Sequence, residues 1–128
     1  MTNHIMFPSC QTLAEVQSLL EGIGSDAGGI RIMREKAIFR VVRLQAVPTK
    51  AANLIKQAFL ARGADAAVSR HSADLSEAYT DVLIFATLRQ YREALARMRL
   101  QPWGLRELAD ELEAALQNSL GNKQEFRN

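Results

Sequence analysis

The sequence predicts an α/β or α+β fold, a small mixed sheet covered by about four helices in one domain. Three observations carry that expectation. Segments whose apolar residues recur three and four apart alternate with short runs rich in strand formers. The chain has 128 residues, the length of one domain around one core. No repeat, low-complexity stretch or Pro/Gly/Ser linker divides it, so residues 1–120 read as one unit and residues 121–128 as a tail.

In chain order, His4–Phe7 is a short apolar stretch expected as an edge strand, stopped by Pro8. Ser9 is the expected N-cap of a first helix carrying Leu13, Val16, Leu19, Leu20 and Ile23. Glycines 22, 24, 28 and 29 should end that helix and turn the chain. Residues 29–47 read as extended, with Ile38, Phe39, Val41, Val42 and Leu44 as strand formers. Thr49 is expected to cap a second helix over Lys50–Arg62, striped by Leu54, Ile55, Ala58 and Phe59, and Gly63 to end it. A short strand over Ala64–Ser69, a polar loop over His71–Thr80 and a strand over Asp81–Thr87 follow. Leu88, Tyr91, Leu95 and Met98 mark a third helix, interrupted by Pro102. Leu105, Leu108, Leu112 and Ala115 mark a last helix ending near Gly121. Strand order is not encoded in these local patterns.

Composition excludes several function classes. Hydrophobic residues make up 48% and charged residues 23%, as in an ordinary globular protein with enough apolar side chain to order itself. The best apolar run, Val82–Leu88, is far short of the ~20 residues of a membrane span, so no membrane partner is expected. No charged region followed by an apolar stretch opens the chain as a signal peptide would, which predicts a cytoplasmic protein. Cys10 is the single cysteine and has no internal disulfide partner; with His4 it offers too few ligands for structural zinc, so neither metal nor cofactor is expected. The bases cluster twice: Arg31, Arg34, Lys36, Arg40 and Arg43 against Glu35, then Arg89, Arg92, Arg97, Arg99 and Arg106 against Glu93. Glu107, Asp110, Glu111 and Glu113 follow directly. With 6% aromatics and no reading helix, this is a mixed-charge surface and no nucleic-acid partner is expected.

The candidate site residues are basic. Strand alternation puts Ile38, Arg40, Val42 and Leu44 on one face, and Phe39, Val41 and Arg43 on the other, so each face is mainly apolar with one guanidinium. Each Arg either holds a carboxylate, a carbonyl or an anionic ligand, or reaches water along its alkyl stem. Lys50, beside Pro48 and Thr49 between a strand and a helix, is placed to meet an anion, although no glycine-rich phosphate cradle surrounds it. Lys50, Asn53 and Gln57 share one helix face, which is either solvated or a partner surface. Arg70 and His71 precede Asp74, Glu77 and Asp81, but proximity in a loop does not supply the geometry of acid–base catalysis. No nucleophile motif accompanies them. Trp103 is expected to anchor two helices with its rings buried. The seam Leu105, Leu108, Leu112 packs either on its own sheet or on another subunit.

Several segments resemble the N-terminal accessory region of the long bacterial and archaeal forms of dihydropteroate synthase. They are Phe39-Arg40-Val41-Val42-Arg43-Leu44, then residues 51–57 (Ala-Ala-Asn-Leu-Ile-Lys-Gln) and 63–70 (Gly-Ala-Asp-Ala-Ala-Val-Ser-Arg). Thr80-Asp81-Val82-Leu83-Ile84, Thr87-Leu88-Arg89-Gln90-Tyr91 and Gln101-Pro102-Trp103-Gly104-Leu105 complete the set, in the expected order over about residues 30–117. The family joins a pterin pyrophosphate to p-aminobenzoate in folate synthesis on a (β/α)8 barrel of about 250 residues, which 128 residues cannot hold. The barrel-opening run Asn-Val-Thr-Pro-Asp-Ser-Phe-Ser is absent, as are the glycine-rich pterin and phosphate segments. No catalytic residue of the family therefore carries over, and the tail resembles the start of a connector into a barrel.

The resemblance implies a non-catalytic accessory domain, docking on a dihydropteroate synthase-type barrel in cis or trans or on its own copy. Docking would use Leu105, Leu108 and Leu112 or the Lys50/Asn53/Gln57 face. The alternative is a binding module for an anionic pterin-type metabolite, with Arg40, Arg43, Lys50 and Arg70 as contacts. A third reading, a small enzyme using Arg70 and His71, has only one candidate base.

Overall fold

The computed structural model describes residues 4–72 and 74–121. Helix α1 (Leu13–Ile23) is followed by α2 (Ala27–Met33), a 3-10 turn (Arg34–Lys36), strand β1 (Phe39–Pro48) and α3 (Thr49–Leu60). Strands β2 (Asp65–Val68) and β3 (Tyr79–Thr87) come next, then α4 (Leu88–Met98) and α5 (Leu105–Ser119). The expected α/β class is present, with five α-helices among the described residues rather than about four. The sheet is antiparallel throughout where a mixed sheet was expected, in the order β1-β3-β2. β1 and β2 run the same way on either side of β3 and are joined through α3, a split β-α-β unit. The expected loop over His71–Thr80 is shorter than predicted, because β3 begins at Tyr79, two residues before Asp81.

Local chemistry explains where the elements begin, and where the expectations fail. Thr12, not Ser9, caps α1: its hydroxyl accepts from Glu15 N (3.2 Å), and Glu15 Oε1 accepts from Thr12 N (3.0 Å). The Ser9 hydroxyl instead bonds the Glu15 carboxylate, which with the backbone N–H of Gln11 holds that acid below its ordinary range. Residues 29–38 do not extend. Asp26 accepts from Gly29 N at 2.6 Å and starts α2, so the glycine pair lies inside a helix rather than in a turn. Thr49 is the first residue inside α3 rather than its cap, and its hydroxyl donates to Glu77 O, tying the helix start to the loop before β3. His4–Phe7 is not a strand: Ile5, Met6 and Phe7 are 79%, 80% and 94% exposed. The sheet they would have joined has its edges defined by β1 and β2 instead. The tail over residues 122–128 lies outside the described residues.

The core lies on one side of the sheet. Val82, Ile84 and Ala86 of β3 and Ala66 of β2 meet Ile55 and Phe59 of α3, Tyr91 and Leu95 of α4, and Leu105 and Leu116 of α5 in one buried cluster. Phe59 and Tyr91 meet edge to face with ring centres 5.3 Å apart. The Tyr91 hydroxyl donates to Arg40 O (2.8 Å), and burial pushes its pKa well above the usual phenol value. Glu35, buried in the 3-10 turn, accepts from Arg92 Nε (2.8 Å) and Nη2 (2.6 Å), a two-pronged pair that fixes this turn to α4.

Candidate functional site

Strand pairing divides β1 by face. On the covered face, Arg40, Val42 and Leu44 are half-buried; on the other, Phe39, Val41 and Arg43 are exposed. Direct pairing sets Val41 opposite Phe85 and Arg43 opposite Leu83 on β3, while Asp65 and Ala67 of β2 lie opposite the same Phe85 and Leu83. Side chains directly opposite share a face. Phe39, Val41, Leu83, Phe85 and Ala67 therefore form an apolar surface that no described helix covers, since each is exposed or half-buried.

The two guanidiniums of β1 part company accordingly. Arg40, on the covered face, donates to Gln11 O and Oε1, to Ser119 Oγ (3.2 Å) and to Phe39 O, so it joins the start of α1 to the end of α5. Arg43, on the open face, donates to Asp81 Oδ2 through Nη2 (2.7 Å) and Nε (3.2 Å). Asp81 Oδ1 also accepts from Ala46 N (2.9 Å), which holds the bulge between Leu44 and Val47, where Ala46 is left-handed at φ 53°. That N–H first, then the Arg43 guanidinium, keeps the Asp81 carboxyl below the usual aspartate range.

A cleft of about 470 Å³ opens at the start of α3, lined by Pro48, Thr49, Lys50, Leu75, Glu77, Ala78 and Trp103. Its size suits a small ligand or one large side chain. Trp103 does not bury its rings as expected; it is 56% exposed. The reason is local: Trp103 (φ 61°) and Gly104 (φ 75°) are both left-handed after Pro102, and the reversal that starts α5 turns the indole outward. Lys50 Nζ stands 5.8 Å from the centre of that ring, a cation–π contact at the mouth of the cleft.

The remaining candidates are dispersed. Lys50 lines this cleft without Arg40, Arg43 or Arg70. Arg70 Nε donates to His71 Nε2 (3.3 Å) in the loop before β3, and Glu77 Oε1 stands 4.0 Å from that nitrogen, beyond a hydrogen bond. Asn53 donates to Ser72 O (3.0 Å), while Gln57 lines a separate groove with Arg62, Arg97 and Gln101. Leu105 and Leu112 are buried in the chain's own core, and the half-buried Leu108 borders a cleft with Arg43 and Glu111. The seam of α5 thus packs inward, the first of its two sequence alternatives. Among the described residues no three His, Cys, Asp or Glu side chains gather as a metal site, and no helix is long and apolar enough to cross a membrane. Sequence reasoning missed Leu75 and named Glu77 only as a carboxylate near His71; both reach the cleft through a loop with no periodic pattern.

Comparison with known proteins identifies relatives. A bifunctional dihydropteroate synthase/dihydropteroate reductase of Helicobacter pylori is 28% identical over 101 residues, which is 79% of this chain and 27% of that protein. A probable bifunctional folylpolyglutamate synthase/dihydropteroate synthase of Halobacterium salinarum is 30% identical over 105 residues, 82% of this chain and 13% of that protein. No family model matches the chain, and no solved structure does. The chain spans less than a third of either curated relative, so the likeness concerns one segment of each. Over about four-fifths of its length, then, the chain is related to a segment of bifunctional dihydropteroate synthase proteins, in agreement with the motifs in its sequence.

Proposed function

We propose that residues 1–120 form a non-catalytic accessory domain, acting in the cytoplasm in docking or assembly with a dihydropteroate synthase-type catalytic barrel in cis or trans. The observation that carries this reading is the disproportion of the matches: most of this chain aligns with a minor part of much longer synthase proteins. The cleft at the start of α3 supports it with a surface of the right kind. Trp is enriched among residues that anchor interfaces, and here an exposed indole stands beside a cation over an apolar hollow. The Lys50 end of the Lys50/Asn53/Gln57 face is the docking point, because Asn53 is already tied to the loop through Ser72.

The test is co-migration of this chain with a separately produced dihydropteroate synthase barrel from the same source. The expected result is a complex that Trp103→Ala weakens at least tenfold, together with no synthase turnover by the chain alone. Absence of a complex at high micromolar concentration, or turnover without the barrel, contradicts the proposal.

The same cleft favours one second reading, a binding module for an anionic pterin-type metabolite, with Lys50 as the charged contact and Trp103 as a stacking surface. A ligand of the folded state must raise its melting temperature. Millimolar pterin, p-aminobenzoate or pyrophosphate without a thermal shift removes this reading.

A further inference from the structure

The arginines of α4 are answered by acids within the chain, with one exception. Arg89 faces Glu93 at 3.5 Å, Arg92 faces Glu35 at 2.6 Å, and Arg99, just past the helix, faces Asp110 at 3.1 Å. Arg97 makes no ion pair among the described residues. It lines instead a groove of about 520 Å³, shared with Arg62, Gln57 and Gln101 over a floor of Leu54, Ala58 and Ala61. Arg62 likewise makes no ion pair among the described residues, and no acidic side chain lines the groove. The helix dipole favours a cation near the C-terminal ends of α3 and α4, which accounts for one charge on each. It does not account for two like charges, which repel, lining one acid-free hollow.

The four polar heads are donors of the kind that hold an oxyanion. A guanidinium fork meets a carboxylate or phosphoryl group two oxygens at a time, and a primary amide adds further N–H groups. None of these four side chains is engaged in a hydrogen bond among the described residues, whereas the backbone that carries them is fixed. Gln90 Nε2 donates to the Arg62 carbonyl (3.0 Å), Arg62 N to Phe59 O (3.0 Å) and Gln101 N to Met98 O (3.0 Å). A frame already ordered lowers the entropy that a ligand must overcome. The volume is that of a small-molecule site, and Ala58 and Ala61 keep the floor low enough for a ligand's body to lie on α3.

We propose that this groove binds a small molecule bearing two oxyanion groups, phosphoryl or carboxylate, one on each guanidinium. The groove shares no lining residue with the cleft at the start of α3. The inference therefore goes beyond synthase docking, and either can fail without the other.

Titration of the full chain with inorganic pyrophosphate and with succinate, at constant ionic strength, tests it through amide spectra and melting temperature. At least one probe raises the melting temperature and moves the amides of Gln57, Ala61, Arg62 and Gln101, leaving Lys50 and Trp103 in place. Tighter binding of pyrophosphate assigns phosphoryl groups to the ligand; tighter binding of succinate assigns carboxylates. Arg62→Gln and Arg97→Gln each weaken binding at least tenfold. Arg31→Gln, which removes the same charge from α2, binds as wild type does. All three positions are exposed, and circular dichroism checks that each variant folds. No saturable binding of either probe at millimolar concentration overturns the proposal, as do shifts centred on Lys50 and Trp103 or unchanged binding by Arg97→Gln.

Discussion

The two faces of this three-stranded sheet come from alternate residues of the same strands, and they are used differently. On one, Val82, Ile84 and Ala86 are completely buried under α3, α4 and α5; on the other, Phe39, Val41, Leu83 and Phe85 stay exposed or half-buried. Apolar character does not separate the two faces. Coverage does, and coverage follows from connectivity: the helix that joins β1 to β2 packs on one side only, and α4 and α5 build outward from it.

The comparison breaks most sharply under paired truncation. Ile84→Ala, at a position with no exposure, should cost about 2–5 kcal/mol in urea unfolding through lost burial and a residual cavity. Val41→Ala on the opposite face should cost about 0.5 kcal/mol or less, as surface changes do. Equal losses would mean that both faces belong to one core. A smaller effect is expected at the margin of the open face, where Ala46 sits left-handed in the bulge. Ala46→Gly should stabilise the chain by about 0.5–1 kcal/mol by removing the left-handed penalty, partly offset by greater freedom of the unfolded chain.

The smallest expected effect is acid dependence at the same bulge. Asp81 is held below its ordinary range by the Ala46 N–H and Arg43, so its folded value is depressed relative to the unfolded chain. Its contribution is present above the ordinary aspartate range and is lost as the pH falls through the depressed folded value. Unfolding measured across the acid range should show a shallower slope for Asp81→Asn than for wild type. An unchanged slope would separate the bulge from the stability of the open face.

Much of this arrangement was legible in the sequence. Periodicity located α3, α4 and α5 nearly to the residue, because each carries an uninterrupted apolar stripe beside a polar one. Alternation in residues 38–44 showed two apolar faces each carrying one guanidinium, and both faces are there. The signals that misled were short. Gly28 and Gly29 look like a turn until Asp26 is recognised as a cap three residues before Gly29, with Ile30 and Met33 at helical spacing. Thr49 has the chemistry of a cap, but its hydroxyl is claimed by Glu77 O from a distant loop, a partner that no local window contains. Trp103 was placed by type in the core, yet two left-handed residues in succession turned it out. The cleft itself was not legible, since it joins Lys50, Leu75 and Trp103 from three separate segments.

Urea unfolding of two lysine variants tests most directly the claim that one sheet face builds the fold and the other lies outside it. The account predicts that Ile84→Lys, at a position with no exposure, abolishes cooperative unfolding, whereas Val41→Lys, at a position 55% exposed, stays within about 0.5 kcal/mol of the wild type. Comparable losses at the two positions would contradict it.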